Sequence, residues 1–327
     1  MLDARRLSRP GLIDSISGTM ATGTRRLVAI AALTAVLWFL WAQLYPVDNA
    51  GTTTIDEPAD AAFPRKIWQT WSIPAQELGG TFQSWSVSWI DVNPNYRYEL
   101  LTSNSASTYV REKYERQRPD IVEVFEALHN DAILRADLLR YLALFADGGV
   151  YADMDTDCTR PIDDWIPGEY LPSANLVVGL EYDAQGGEIR GDFTIAASLG
   201  QWTFMARPGS PALALVIDKV IEAVLRLYEV NQTMPTFTGE QVIDVTGPHM
   251  FTNSILEYLS IKTGTQVSYF DISNLTEPKL IADVLVLPIN AFGTGQDHSG
   301  SKEDGNSEQL MRHHWYGWKG WRVSHPG

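Results

Sequence analysis

From Ala132 to Ala146 the apolar residues Leu134, Leu138, Tyr141, Leu142 and Phe145 recur at i, i+4, i+7, i+8 and i+11, the single stripe of an amphipathic helix. Asp147-Gly148-Gly149 stops it, because glycine accepts the left-handed geometry at a helix end. A short strand, Val150–Asp153, follows at once. Upstream, 64–71 reads as a first strand and 96–101 as a second. Between them 82–92 reads as a helix with Phe82, Trp85 and Trp89 on one side. Residues 107–118 and 121–128 read as helices separated by Pro119. Further on come strands at 176–180 and 193–197, helices at 211–230 and 249–259, and a strand at 282–287. Alternation of this kind predicts an α/β domain with a mainly parallel central sheet flanked by helices. Its ligand belongs beyond the carboxyl ends of the strands.

A different pattern occupies Leu27–Tyr45, a predominantly apolar run that carries no charge. As a helix it spans about 28 Å, close to the ~30 Å hydrocarbon core of a bilayer. Arg5, Arg6, Arg9, Arg25 and Arg26 precede it, and Asp48, Asp56, Glu57 and Asp60 follow. The positive-inside rule then keeps the N-terminus in the cytosol and sends the remainder into the lumen. A cleaved signal peptide fits less well, because the run exceeds the usual apolar core and no small-x-small site follows directly. The expected organisation is a cytosolic tail (1–26), a transmembrane signal anchor (27–45), a lumenal stem (46–62) and a folded domain (63–327). Sequons at Asn231 and Asn274 fit a lumenal domain.

The formal charge of −15, from 25 basic against 40 acidic side chains, argues against nucleic acid as a partner. An anionic substrate must therefore be met by local Arg or Lys, or by a metal ion. The lone Cys158 excludes an intrachain disulfide and a cysteine-rich zinc site. Its acidic neighbours Asp155 and Asp157 would raise its pKa, so it reads as a packed thiol rather than a nucleophile.

Candidate chemistry concentrates in Asp153-Met154-Asp155-Thr156-Asp157. Residues i and i+2 of a strand share a side, so Asp153 and Asp155 should converge. Converging carboxylates repel unless a hard divalent cation joins them. An EF-hand loop would need Gly where Cys158 stands, and would follow a helix rather than a strand. A haloacid-dehalogenase-type phosphatase also places D-x-D at a strand end, but with Thr or Val where Asp157 stands. Asp137 and Arg140, at i and i+3, share a helix face opposite the apolar stripe. That spacing suits either a surface salt bridge or a polar cluster at a site. Near the C-terminus, Arg312-His313-His314 and Lys319 could complete a metal shell or meet phosphate.

The segment Ile133–Thr156 resembles the signature of glycosyltransferase family 32. Phe63–Trp71, Asn93–Leu101, Gln201-Trp202, Arg207–Pro211, Thr246–Pro248, Val286–Pro288 and His313-His314 recur in the family's order, so the likeness runs over roughly 63–321. It implies a GT-A type nucleotide-sugar-binding fold, with 63–327 as the catalytic domain, GDP-mannose as donor and Mn²⁺ as metal. It also implies a retained α configuration and an N-glycan acceptor in the early Golgi, the activity of an α-1,6-mannosyltransferase in mannoprotein synthesis. Residue by residue, it implies that Asp153 and Asp155 bind metal, with His314, which precedes x-x-Gly317, as third ligand. Asp137 and Arg140 would hold donor hydroxyls and phosphate, with Arg135 and Lys319 beside them and Trp71 stacked on the base. One departure is Gly317-Trp318, where the family commonly reads Gly-Ser-Trp. No covalent nucleophile stands out, which favours same-face attack assisted by the leaving diphosphate; a sugar adduct on Asp192 or Glu181 would overturn that. Within the family, synthesis of mannosyl inositol phosphoceramide is an alternative, as is a non-catalytic subunit of a mannan polymerase, alone or beside other mannosyltransferase subunits.

Overall fold

The structure is a computed structural model and describes residues 63–191, 193–231 and 237–316. The expected tail, anchor and stem lie outside those residues, as do Asp192, Gly317, Trp318 and Lys319. Among the described residues no helix is long and apolar enough to cross a membrane.

The chain opens with β1 (Lys66–Trp71), α1 (Gly80–Val92) and β2 (Arg97–Thr102). Then come α2 (Ser103–Tyr114), α3 (Pro119–Ala127) and α4 (Ala132–Asp147). The acidic segment joins β3 (Gly149–Ala152) to β4 (Thr156–Cys158). Next are β5 (Leu176–Asp183), β6 (Ala197–Ala206), α5 (Pro211–Asn231), α6 (Gly239–Val245) and α7 (Pro248–Thr263). The last elements are β7 (Lys279–Ile281), β8 (Val284–Leu287), α8 (Ile289–Phe292) and β9 (Met311–His313).

Seven strands form one sheet in the order β2-β1-β3-β6-β5-β8-β7, and β4 pairs with β9 in a separate ribbon. The expected mainly parallel sheet is corrected to a mixed one. β1 runs parallel to β2 and β3, and β5 to β8, but β6 is antiparallel to both its neighbours and β7 to β8. The strand expected at 193–197 begins where that range ends, at Ala197, and β7 was not anticipated.

Alternation through the sheet builds two cores. Tyr151, Leu176, Val178 and Leu180 pack into one with α2 to α7, while Val150, Ala152 and Val177 join Trp89, Trp165, Phe292 and Met311 on the other face. The result is a three-layer α/β domain whose strands β1, β3 and β5 end at one edge, where the site lies.

Candidate active site

The helix–turn–strand unit α4–β3 positions the central groups. Asp131 caps α4, its Oδ1 accepting from the backbone N–H of Ile133 (3.1 Å) and Leu134 (3.2 Å). At the other end Gly148 and Gly149 have φ of 64° and 103°. A Cβ on Gly149 would stand 2.5 Å from the carbonyl oxygen of Lys66, so only glycine lets β3 pair this closely with β1.

The helix is buried well beyond its apolar stripe, and the burial includes Asp137 and Arg140. They form no surface salt bridge. Arg140 reaches Asp137 Oδ1 at 3.0 Å and Asp153 Oδ1 at 3.3 Å, donates to the Gln201 carbonyl at 3.1 Å, and lies over the Tyr151 ring at 4.9 Å. Burial works against its charge, but Asp153, Tyr151 and Asp137 outweigh it and hold the guanidinium firmly protonated. Asp137 accepts from Thr246 Oγ1 (2.8 Å) and Gln201 Nε2 (3.3 Å). Burial pushes its carboxyl up to about 6, against the pull of Arg140.

Asp153 and Asp155 do converge, through a turn rather than the pleat of a strand, since β3 ends at Ala152. Thr156 Oγ1 and Gln69 Nε2 both donate to the Asp153 carbonyl, at 2.6 and 3.0 Å, and the Asp153 N–H donates to the Trp202 carbonyl at 2.8 Å. Met154 between them is buried, its sulfur accepting from Ser86 Oγ at 3.8 Å. Tyr151 donates to Asp153 Oδ1 at 2.6 Å. Burial raises the pKa of Asp153, the facing Asp155 adds to it, and Arg140 opposes it.

The histidine that the structure brings beside the acidic pair is His313, where His314 was expected. The β4–β9 register sets His313 opposite Thr156, so its Nε2 lies 3.3 Å from Asp155 Oδ1. Ligand atoms of Asp153, Asp155 and His313 all lie within 4.8 Å of one another. Neighbours on an extended chain face opposite sides. His314 accordingly turns away, stacking on Trp85 at 4.1 Å and meeting Asp157 Oδ1 through Nε2. Arg312 is held by both Asp157 oxygens, at 3.1 and 3.2 Å, and does not face the cluster as a phosphate ligand.

A divalent cation fits this donor set. Three carboxylates against one guanidinium leave negative charge that such an ion would balance, with two hard oxygens and an imidazole in reach. The Nδ1 of His313 is buried without a hydrogen-bond partner among the described residues.

These groups line a cleft of about 1200 Å³, and Trp71 and Arg135 line it too. Trp71 belongs to a half-buried aromatic wall rather than the core, 4.7 Å from Phe82, which in turn lies 5.0 Å from Tyr316. Arg135 rests over Phe125 and donates to Ser107 Oγ at 2.5 Å. Cys158 is packed as expected, its thiol pushed up to about 11 by burial. Sequence reasoning missed the places of Tyr151, Gln201 and Thr246, chose His314 from the His313-His314 pair, and raised Glu181 only as a nucleophile. Gln201 and Thr246 stood inside quoted motifs, which was the one signal available for them.

The fold and this site define a glycosyltransferase class. Residues 81–172 match the glycosyltransferase sugar-binding region containing a DXD motif. The initiation-specific alpha-1,6-mannosyltransferase of Schizosaccharomyces pombe is 31% identical over 82% of this chain and 67% of its own length. The chain belongs to this glycosyltransferase family. The Saccharomyces cerevisiae glycosyltransferase HOC1 is 35% identical over 70% of this chain, which spans only 59% of that relative. The initiation-specific alpha-1,6-mannosyltransferase of Candida albicans is 29% identical over 79% of this chain and 72% of its own.

Proposed function

We propose that this chain transfers mannose from GDP-mannose to an N-glycan in α-1,6 linkage, with retention of configuration, using a GT-A type catalytic domain and Mn²⁺. We place it in the Golgi membrane as a single-pass type II protein with that domain in the lumen. The observation that carries the reading is the convergence of Asp153, Asp155 and His313 beside the buried Arg140, at the edge of a cleft large enough for a nucleotide sugar. The names of its relatives support mannose and the linkage.

Asp153, Asp155 and His313 would hold the metal, which when bound offsets charge on the departing diphosphate. Arg140 acts as a strut: bridging Asp137 and Asp153, it fixes both carboxylates before substrate arrives. Thr246 and Gln201 occupy part of Asp137, and its remaining acceptor capacity suits donor sugar hydroxyls. Trp71 and Phe82 offer an aromatic wall for the base. With the cationic strut already engaged, Arg135 and Lys319 are the groups proposed to meet phosphate.

The test supplies the purified full chain with Mn²⁺, a high-mannose glycan and a panel of nucleotide sugars. GDP-mannose should be preferred, and the product linkage should be α-1,6. Chelator or Asp153→Ala should lower transfer by on the order of 10²–10³-fold. Preference for a UDP-sugar, or hydrolysis of phosphate esters in place of transfer, would sink the reading.

A further inference from the structure

The cleft has a second wall that the donor groups do not use. Trp71 ends β1, Asp153 follows β3, Gln201 lies in β6 and Glu181 in β5, and these strands are consecutive neighbours in the sheet. At ~4.8 Å per strand, β5 stands about 10 Å from β3, on the side away from Trp71. Glu181 faces the cleft there and accepts from Ser198 Oγ at 3.1 Å. No cation pairs with it among the described residues.

Around it the wall is aromatic and polar. Phe193 stacks on Tyr182 at 3.9 Å, nearly parallel, and His298 meets Phe193 edge-on at 5.4 Å. Gln296 also lines the cleft, and its buried Nε2 has no hydrogen-bond partner among the described residues. Arg190 of this wall is engaged by Asp297 at 2.5 Å. Sugars are recognised by this combination: an aromatic ring takes the C–H face of a pyranose, while carboxylate and amide groups take its hydroxyls. A phosphorylated acceptor would instead press a second anion against Glu181 and Asp297.

We propose that the wall formed by Glu181, Phe193 and Gln296 is the acceptor subsite, that it takes an uncharged hexopyranose, and that Glu181 positions the acceptor hydroxyl. The proposal rests on the transferase reading above and narrows its acceptor to neutral glycans over phosphate-bearing ones.

Acceptor kinetics of the full chain with GDP-mannose and Mn²⁺ test it, comparing a neutral mannooligosaccharide with its terminal 6-phosphate derivative. Glu181→Ala should raise the acceptor KM at least tenfold while the donor KM moves less than twofold. Glu181→Gln, which keeps a hydrogen-bonding group, should recover part of that loss. Phe193→Ala should also raise the acceptor KM, and the phosphorylated acceptor should be at least tenfold poorer. An unchanged acceptor KM in Glu181→Ala, an equal rise in the donor KM, or parity of the two acceptors overturns the subsite. Binding of the mannooligosaccharide alone, read by saturation-transfer NMR, separates the two readings. If GDP-mannose is not a donor, wild-type chain should still bind the neutral glycan and Glu181→Ala should not. Equal binding by both refutes the subsite independently of the donor.

Discussion

His313 and His314 are chemically identical and adjacent, yet the structure gives them different work. His313 sits beside Asp155 with its Nδ1 unpartnered among the described residues, whereas His314 spends its Nε2 on Asp157 and its ring on Trp85. His313→Ala should weaken Mn²⁺ binding 10–100-fold or more, on the order seen when the groups around a metal are lost. His314→Ala should leave metal affinity nearly intact and lower stability by about 1 kcal/mol through lost stacking. Calorimetric titration with Mn²⁺ and urea unfolding separate the two, and the opposite pattern would restore His314 as the ligand. Glu181 makes a second residue-scale prediction. Burial raises its folded pKa from 4.5 to about 7, with Ser198 opposing. Protonation therefore favours the folded state; that contribution is complete below about pH 4.5 and is lost as pH rises to about 7. Glu181→Gln does not titrate, so its stability relative to wild type should improve by on the order of 1–3 kcal/mol between pH 4.5 and 8. Parallel stability curves in urea across that range would show that the carboxyl is not desolvated.

At the scale of elements, the site depends on the Gly148-Gly149 turn more than on any strand's own propensity. Gly149 combines φ of 103° with the Lys66 carbonyl oxygen 2.5 Å from where a Cβ would go, and that oxygen is backbone that cannot rotate away. Gly149→Ala should cost about 3 kcal/mol or more and shift β3 away from β1, disturbing Asp153 with it. Urea unfolding checks the first part; loss of Mn²⁺ binding in whatever variant still folds checks the second. A variant as stable as wild type would mean that the β1–β3 pairing is looser than described. This unit was legible in sequence because each signal is local: the apolar stripe, the glycine pair and the acidic run lie within a few turns of one another. What was not legible is non-local or conformationally disguised. The pairing of β4 with β9 joins Thr156 to His313 across the chain, and no spacing rule announces it. The β7–β8 hairpin turns at Ala282 and Asp283, with φ of 51° at Ala282, where glycine or asparagine would have marked a turn. β6 is buried on both faces and includes Gly200 and Gln201, so it shows neither alternation nor a β-branched run, while Phe193–Ala196 imitates one. Because β6 was misplaced, its antiparallel run was missed and the sheet was expected to be mainly parallel.

Across the whole molecule the excess of acid over base leaves the folded domain poorly suited to bind an anionic surface or polymer. Among the described residues the cleft gathers anion-binding chemistry, with Arg135 and the candidate metal ligands along it. That division suits an enzyme held near a membrane by an anchor rather than by its surface, and it makes the side of the membrane testable. Asn274 offers a reporter inside the described fold. It is exposed on the loop before β7, its backbone N–H donates to Asp183 at 2.6 Å, and Thr276, the hydroxyl residue of its sequon, is exposed as well. Glycosylation there would leave both cores and the cleft untouched. If residues 27–45 anchor the chain with its domain in the lumen, full-length protein made in a fungal host should resist carbonate extraction and survive protease in sealed microsomes. Endoglycosidase should lower its mass, and Asn274→Gln should remove at least part of that shift. Protease sensitivity in sealed microsomes would place the domain on the cytosolic side. The charge pattern flanking 27–45 would then have been misread, although the arrangement of Asp153, Asp155 and His313 would stand.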